Sequence, residues 1–296
     1  MEITFLGTSA MQPTKERNPS AVLLQYNGQG ILFDCAEGTQ RQLKIAGLPI
    51  TSVTKVLISH WHGDHVLGLS GLIQSLGASD YKGVVELYGP IGSKKYVKSM
   101  FEGIEFDFRV NFKVIEVEDG VIFENDDYRI ECAPLKHKIP CLGYSFVEKD
   151  RLRIKVDACR KFGISEGPLM GKLQQGKDVI VKGKTVKASD VTYTVEGKKV
   201  TYLVDTGLTH NCYELAEDAD LLICEASFAK ELSSKAEEYL HLTSHDAGLI
   251  ASKSGAKKLI LTHFSARYTN TAQLESDARD VFDNVVCAKD FMKIKL

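Results

Sequence analysis

The sequence predicts a four-layer α/β fold in which two β-sheets pack together and are covered by helices. Three observations predict it. Short apolar runs with strand character recur in both halves of the chain, interspersed with segments of helical character. Several of these runs end on a histidine or an aspartate, as strands do where an α/β protein gathers its active site along one sheet edge. One stretch, residues 148–199, breaks the rhythm with scattered lysines and repeated glycines, after which the alternation resumes.

In order along the chain, residues 2–7 alternate around Ile3, Phe5 and Gly7 and read as a first strand leading into a polar loop at 8–20. Strands follow at 21–26 and 30–34, joined by a glycine-rich hairpin. Residues 37–46 read as a helix stopped by Gly47. Val56-Leu57-Ile58 reads as a buried strand, followed by a helix from Val66 to about Ser79. A strand at 84–88, a helix at 93–101 and two or three strands within 112–133 complete the first half. Beyond the strand at 142–147 comes the insertion. The second half then alternates strands at 200–204, 221–224 and 258–262 with helices at 244–254 and 272–282. We read the whole of 1–296 as one domain carrying an inserted arm at about 148–199.

A chain of 296 residues with 44% hydrophobic and 26% charged residues buries a large core. No run approaches the roughly 20 apolar residues that cross a bilayer, so no membrane partner is expected. The seven cysteines are odd in number, scattered and without a C-x-x-C pair. They point to a reducing, cytoplasmic setting. The overall charge of −2 conceals an asymmetry. Residues 148–199 hold thirteen Lys/Arg and seven Asp/Glu, a net +6 that leaves −8 for the remainder. That is the charge pattern of a basic arm on an acidic body, and equally of a lysine-rich solvated loop.

The stretch V-L-I-S-H-W-H-G-D-H (56–65) carries the chemistry. His60 and His62, two residues apart, project to one side if strand geometry persists. Asp64 and His65 follow Gly63, where the chain can turn sharply. Imidazoles and a carboxylate suit zinc and similar divalent ions. His137, Asp205 and His263 stand at or just beyond the ends of other apolar runs. Seven such donors are too many for one tetrahedral zinc and fit two if Asp205 is shared. A two-metal centre stabilises both the attacking and the leaving oxygen of a displacement at phosphorus or an acyl carbon.

H-x-H-x-D-H (60–65) with the spaced His137, Asp205 and His263 resembles the metallo-β-lactamase fold superfamily, over nearly the whole chain. Within it the chain is similar to RNase Z, the tRNA 3′-processing endoribonuclease, in its short form. The segment containing Pro13, Lys15, Arg17 and Asn18 matches the family's P-x-K-x-R-N loop. D-C-A-E-G-T-Q (34–40) resembles D-C-G-E-G-T, departing at Ala36. H-L-T (241–243) resembles H-S-T, and L-T-H-F-S-A-R-Y (261–268) matches the terminal ligand segment. C-E-A-S (224–227) stands where the family has H-E-A-T, so Cys224 replaces a histidine.

The resemblance implies that His60, His62 and His137 hold one Zn2+ and Asp64, His65 and His263 a second, with Asp205 shared. It makes Asp64 the general base and His241 the general acid that serves the leaving 3′-oxygen. Taken alone, His241 reads equally as a residue flanking a helix start, because Thr243 and Ser244 look like N-cap residues. His210 has no counterpart. The 148–199 insertion falls where short-form enzymes carry their flexible arm, and Gly167-Pro168 resembles that arm's Gly-Pro step. A basic projection of this kind holds the elbow of a precursor tRNA through its phosphates. Lys15, Arg17 and Asn18 would lie by the acceptor end. The family arm serves the other subunit's site, which implies a homodimer. The expected reaction removes the 3′ trailer after the discriminator nucleotide, leaving a 3′-hydroxyl on the tRNA and a 5′-phosphate on the trailer. A small-substrate hydrolase of the superfamily and a non-catalytic RNA binder with structural metals remain as alternatives.

Overall fold

The computed structural model describes residues 1–105 and 107–296. By its own contacts the chain divides into two compact units. One comprises residues 1–123, 130–146 and 199–296, and the other 124–129 and 147–198.

The larger unit is built on two mixed sheets of seven strands. The first runs in the spatial order Lys293–Lys295, Glu2–Gly7, Ala21–Tyr26, Gln29–Phe33, Val53–Leu57, Val84–Gly89, Asn111–Glu116. The second runs Val285–Cys287, Leu259–Thr262, Leu221–Glu225, Lys199–Leu203, Cys141–Glu148, Tyr128–Leu135, Gly120–Glu124. The central strands of both are parallel and buried on both faces, which explains why they read as unbroken apolar runs rather than alternating ones.

The sheets meet face to face through large side chains. Phe33 packs on Tyr202 at 5.1 Å and Tyr26 on Phe146 at 5.3 Å, while the Tyr144 hydroxyl donates to the Ile58 carbonyl at 2.7 Å. Helices Thr39–Ile45 and Leu69–Ala78 cover the outer face of the first sheet with Leu43, Leu69, Leu72, Ile73 and Leu76. Helices His210–Ala216, Ser244–Ser254 and Ala272–Arg279 cover the second with Leu215, Ala247, Ile250, Ala251 and Leu274. The expected four layers are present. Among the described residues no helix is long and apolar enough to cross a membrane.

The structure refines local readings in two places. The turn after His62 does fall at Gly63, but it is made with ordinary helical angles and needs no conformation special to glycine. The chain leaves His62 extended (φ −74°, ψ 152°) and enters the short helix Gly63–Val66, and it is this helical start that swings Asp64 and His65 back. The polar loop 8–20 contains a two-residue strand, Ser9–Ala10, paired in parallel with Phe264–Ser265.

The smaller unit has its own core of Cys159, Ile164, Leu173, Val179, Val186, Ala188 and Val191. It consists of the antiparallel pair Arg151–Ile154 with Thr192–Val195, the hairpin Val179–Val181 with Lys184–Val186, and helices Val156–Lys161, Pro168–Gln174 and Ala188–Val191. Lys182 and Gly183 both have positive φ (49° and 75°), the conformation a two-residue hairpin turn demands. None of these elements exceeds seven residues, too short for a period to emerge from the sequence.

Candidate active site

The site forms where strands of both sheets end. Val53–Leu57 delivers His60, His62, Asp64 and His65 from the first sheet. The ends of Tyr128–Leu135, Lys199–Leu203 and Leu259–Thr262 deliver His137, Asp205 and His263 from the second. Asp205 and His263 have positive φ (50° and 57°), as does Asp34 (56°) at the end of Gln29–Phe33. Aspartate and histidine tolerate this left-handed geometry better than most residues, and each uses it to leave its strand sharply toward one point.

The donor atoms converge. His60 Nε2 lies 2.9 Å from His62 Nδ1, which lies 3.3 Å from His137 Nε2, and His60 Nε2 is 3.3 Å from Asp205 Oδ2. In a second cluster His65 Nε2 lies 3.4 Å from Asp64 Oδ2, and His263 Nε2 lies 3.7 Å from the same oxygen. Asp205 joins the two: its Oδ2 is 3.5 Å from His65 Nε2 and its Oδ1 is 2.9 Å from His263 Nε2. A tetrahedral ion with bonds of about 2.0–2.2 Å holds its ligand atoms roughly 3.3–3.6 Å apart, so these spacings match a coordination shell. His65 Nε2, His263 Nε2 and Asp205 Oδ1 are buried and make no hydrogen bond. The 2.9 Å approach of the last two is therefore a meeting of donor atoms without hydrogen-bond alignment. Buried polar atoms left in this state need a partner, and a divalent metal supplies one. The donor set, four histidine Nε2 atoms, one Nδ1 and two carboxylates with no sulfur, fits such a centre.

The far nitrogen of four of these rings is held. His65 Nδ1 donates to Asp34 Oδ2 at 2.7 Å, His263 Nδ1 meets Ser227 Oγ at 3.0 Å, His60 Nδ1 meets Ser59 Oγ at 3.0 Å, and His137 Nδ1 donates to the Leu240 carbonyl at 3.4 Å. Such contacts fix the ring and leave Nε2 for the ion. Asp34, fully buried, also accepts from Ser59 N, Ser59 Oγ and Tyr202 OH.

Burial drives His60 down to about 4, assisted by the nearby charge of His65. Burial also lowers His137. For His65 burial is outweighed by Asp34 and Asp205, which raise it, and for His263 by Asp205, which lifts it to about 10. Burial would raise Asp64 and Asp205, but the close approach of His263 and His65 holds Asp64 below the usual carboxylate range, and the charges of the same two rings do so for Asp205. The site is thus a set of carboxylates balanced by protons on imidazole, which a divalent cation would displace on binding.

His241 stands beside the cluster, its ring 5.5 Å from His137 and 5.8 Å from His263. Its Nδ1 lies 3.0 Å from Oε2 of the fully buried Glu225, which raises His241 against the opposing effect of burial. Glu225 also accepts from Thr206 N at 2.7 Å and Ser227 Oγ at 2.6 Å. The capping residue of helix Ser244–Ser254 is Thr243, in a capping box with Asp246, so His241 itself has no capping task. Asp34, Glu225 and Ser227 were not singled out as site residues by sequence. The available signal was a polar residue closing an otherwise apolar strand. Cys224 is fully buried in the core cluster of the second sheet.

The remaining predicted residues lie apart from the donors. Lys15 is exposed. Arg17 donates from Nη1 to the Tyr268 carbonyl at 2.6 Å and covers the Phe264 ring. Asn18 donates from its backbone to Asp290 and from its side chain to the Glu37 carbonyl. Their loop nevertheless touches the site, because Met11 N donates to Asp64 Oδ2 at 2.7 Å. Gly167 and Pro168 belong to the smaller unit, where Pro168 opens an exposed helix.

Two sheets flanked by helices, with a seven-donor His/Asp cluster at the ends of strands from both, define a metal-dependent hydrolase of the metallo-β-lactamase fold. A solved metallo-β-lactamase fold protein, YhfI from Bacillus subtilis, shares the fold with a TM-score of 0.70 over 99% of this chain and 98% of its own, at 20% identity. Residues 1–162 match the family model of the Anti-Pycsar protein Apyc1, a span that ends before Asp205, His241 and His263. The full length matches a ribonuclease Z from Crocosphaera subtropica at 39% identity, covering 99% of this chain and 97% of that one. The crystal structure of human tRNase Z, short form, superposes with a TM-score of 0.73 at 28% identity over 100% and 99% of the two chains. The chain belongs to the ribonuclease Z family.

Proposed function

We propose that the protein is a zinc-dependent endoribonuclease that removes the 3′ trailer from tRNA precursors, cutting after the discriminator nucleotide. The observation that carries this reading is the joint presence, in one chain related over its whole length to ribonuclease Z, of the seven-donor cluster and the His241–Glu225 pair. His60, His62, His137 and Asp205 would hold one ion, and Asp64, His65, His263 and Asp205 the other. When bound, two such ions acidify water and neutralise charge on the phosphate under attack.

The chain's own groups do the rest. Asp64, kept ionised, accepts the proton of the attacking water. His241, with Nδ1 committed to Glu225, presents Nε2 to the leaving 3′-oxygen and donates the proton it needs. Lys15 and Arg17 give the 8–20 loop positive charge toward the acceptor end, with Asn18 holding the loop in shape. The basic segment 148–199, with Gly167-Pro168 opening an exposed helix, serves as the arm that grips the tRNA elbow through its phosphates. Family analogy has that arm serve a second copy of the chain in a homodimer. A cytoplasmic location accords with seven buried, unpaired thiols.

The test is incubation of the zinc-loaded protein with a 3′-extended tRNA precursor and mapping of both new ends. A single cut after the discriminator, abolished by chelator, is expected. An intact precursor alongside hydrolysis of a bis-aryl phosphodiester would move the protein to a small-substrate reaction.

A further inference from the structure

Beyond the donor atoms, the active-site cleft of about 670 Å3 has a wall that the chemistry above does not use. Next to His241 it carries Phe228, Tyr239, Lys138 and Arg267. Phe228 is 6% exposed and its ring lies 6.0 Å from His241, whereas Tyr239, aligned with Phe228 to within 19° at 6.4 Å, is 47% exposed. A large aromatic half bare in the cleft, backed on one side by a buried ring of the same orientation, leaves its other face open as a flat stacking surface. Two cations flank it. Lys138 Nζ lies 5.1 Å from the Tyr239 centroid and the Arg267 guanidinium 5.0 Å from that of Phe228.

The platform is tied to the machinery by one turn of backbone. Tyr239 is the last residue of helix Ser233–Tyr239. Leu240 then takes a left-handed conformation (φ 59°), and His241 returns toward the site with its N–H bonded to the Ala236 carbonyl. The Leu240 carbonyl accepts from His137. Tyr239, His241 and a metal-ligand candidate are therefore fixed relative to each other.

We propose that Tyr239, backed by Phe228, is the stacking platform for the base of the nucleotide that carries the leaving 3′-oxygen, the discriminator; this rests on the tRNA-processing reading. In-line displacement puts proton donor and proton acceptor on opposite sides of the phosphorus, so the nucleotide on the His241 side is the one upstream of the cut. Stacking accepts any of the four bases, since each has a π-face. Lys138 and Arg267 meet the phosphates on either side of the stacked nucleotide. A base seated on Tyr239 sets the position of its own ribose, and with it the 3′-oxygen, against His241.

The test compares wild type, Y239A and Y239F on three precursors: intact, abasic at the discriminator, and abasic at the first trailer nucleotide. Zinc content and thermal unfolding of each variant establish that it is folded. On the intact precursor Y239A should lose about 5- to 150-fold in kcat/KM, the range for one stacked base, and Y239F, which restores the ring, should recover most of it. On the abasic-discriminator precursor wild type should fall by a similar factor and Y239A no further. The abasic trailer should leave the Y239A deficit in place. An undiminished deficit on the abasic discriminator, an equal deficit in Y239F, or a deficit that vanishes only with the abasic trailer would each overturn the assignment. A wild type that leaves the intact precursor uncut refutes the tRNA reading itself, and this inference falls with it.

Discussion

Replacing Asp34 with asparagine tests whether the second layer of side chains sets up the metal centre. Its Oδ1 accepts the Ser59 N–H at 2.8 Å, and its Oδ2 accepts Ser59 Oγ at 2.9 Å, His65 Nδ1 at 2.7 Å and Tyr202 OH at 3.0 Å. Asparagine is isosteric but has one oxygen. With that oxygen on the three-donor side, its NH2 faces the Ser59 N–H and orphans a buried donor, at about 1–3 kcal/mol. The bond to His65 also falls from charge-assisted to neutral, about 1 kcal/mol weaker. The opposite orientation leaves His65 Nδ1–H with only the more distant Ser59 Oγ at 3.4 Å, favouring the tautomer that places the proton on Nε2. Either way the metal-free protein should lose about 2–4 kcal/mol, and zinc affinity should fall roughly 10–100-fold, as when other outer partners of metal histidines are removed. Denaturant unfolding of the metal-free proteins and competition with a chelating dye measure the two quantities. Zinc affinity within twofold of wild type would show that Asp34 does not orient His65.

Replacing His241 with alanine should cut kcat on precursor tRNA by about 10²–10⁴ with little change in KM, and adding Glu225→Gln should cost less than it does alone, because the two act as a unit. A rise in KM at constant kcat, read by steady-state kinetics, would make His241 a binding residue instead. Deleting about residues 150–195 should raise KM for the precursor while sparing hydrolysis of a small phosphodiester; equal loss on both would remove the arm from substrate binding. Burial pushes Cys35, Cys132 and Cys287 up to about 12. At pH 8 such thiols are ionised in roughly one molecule in 10⁴, so a thiol-specific disulfide reagent should label these three only after denaturation. Fast native labelling of any of the three would contradict their buried placement.

The convergence of the 60–65 loop was legible because four candidate donors crowd into six residues after a strand, and that of His137, Asp205 and His263 because each follows an apolar run. Asp34, Glu225 and Ser227 were not, since a single polar residue at or just beyond the end of a buried strand does not announce its partner. The partners of Asp34 stand 25 to 168 positions away: Ser59 and His65 reach it through strand pairing within the first sheet, and Tyr202 only when the two sheets pack. Gly63 pointed to a turn between candidate ligands, and the turn is there, made with ordinary helical angles. In the insertion, seven buried apolar residues form a core from elements too short to show a period.

The division of ligands between the sheets also orders events in time. His60 to His65 follow a strand of the first sheet, whereas the shared Asp205 and the last ligand, His263, come from the second. The first sheet is itself finished only when Lys293–Lys295 pairs with Glu2–Gly7. A chain synthesised only as far as residue 204 therefore carries five of the seven candidate donors and can complete neither cluster.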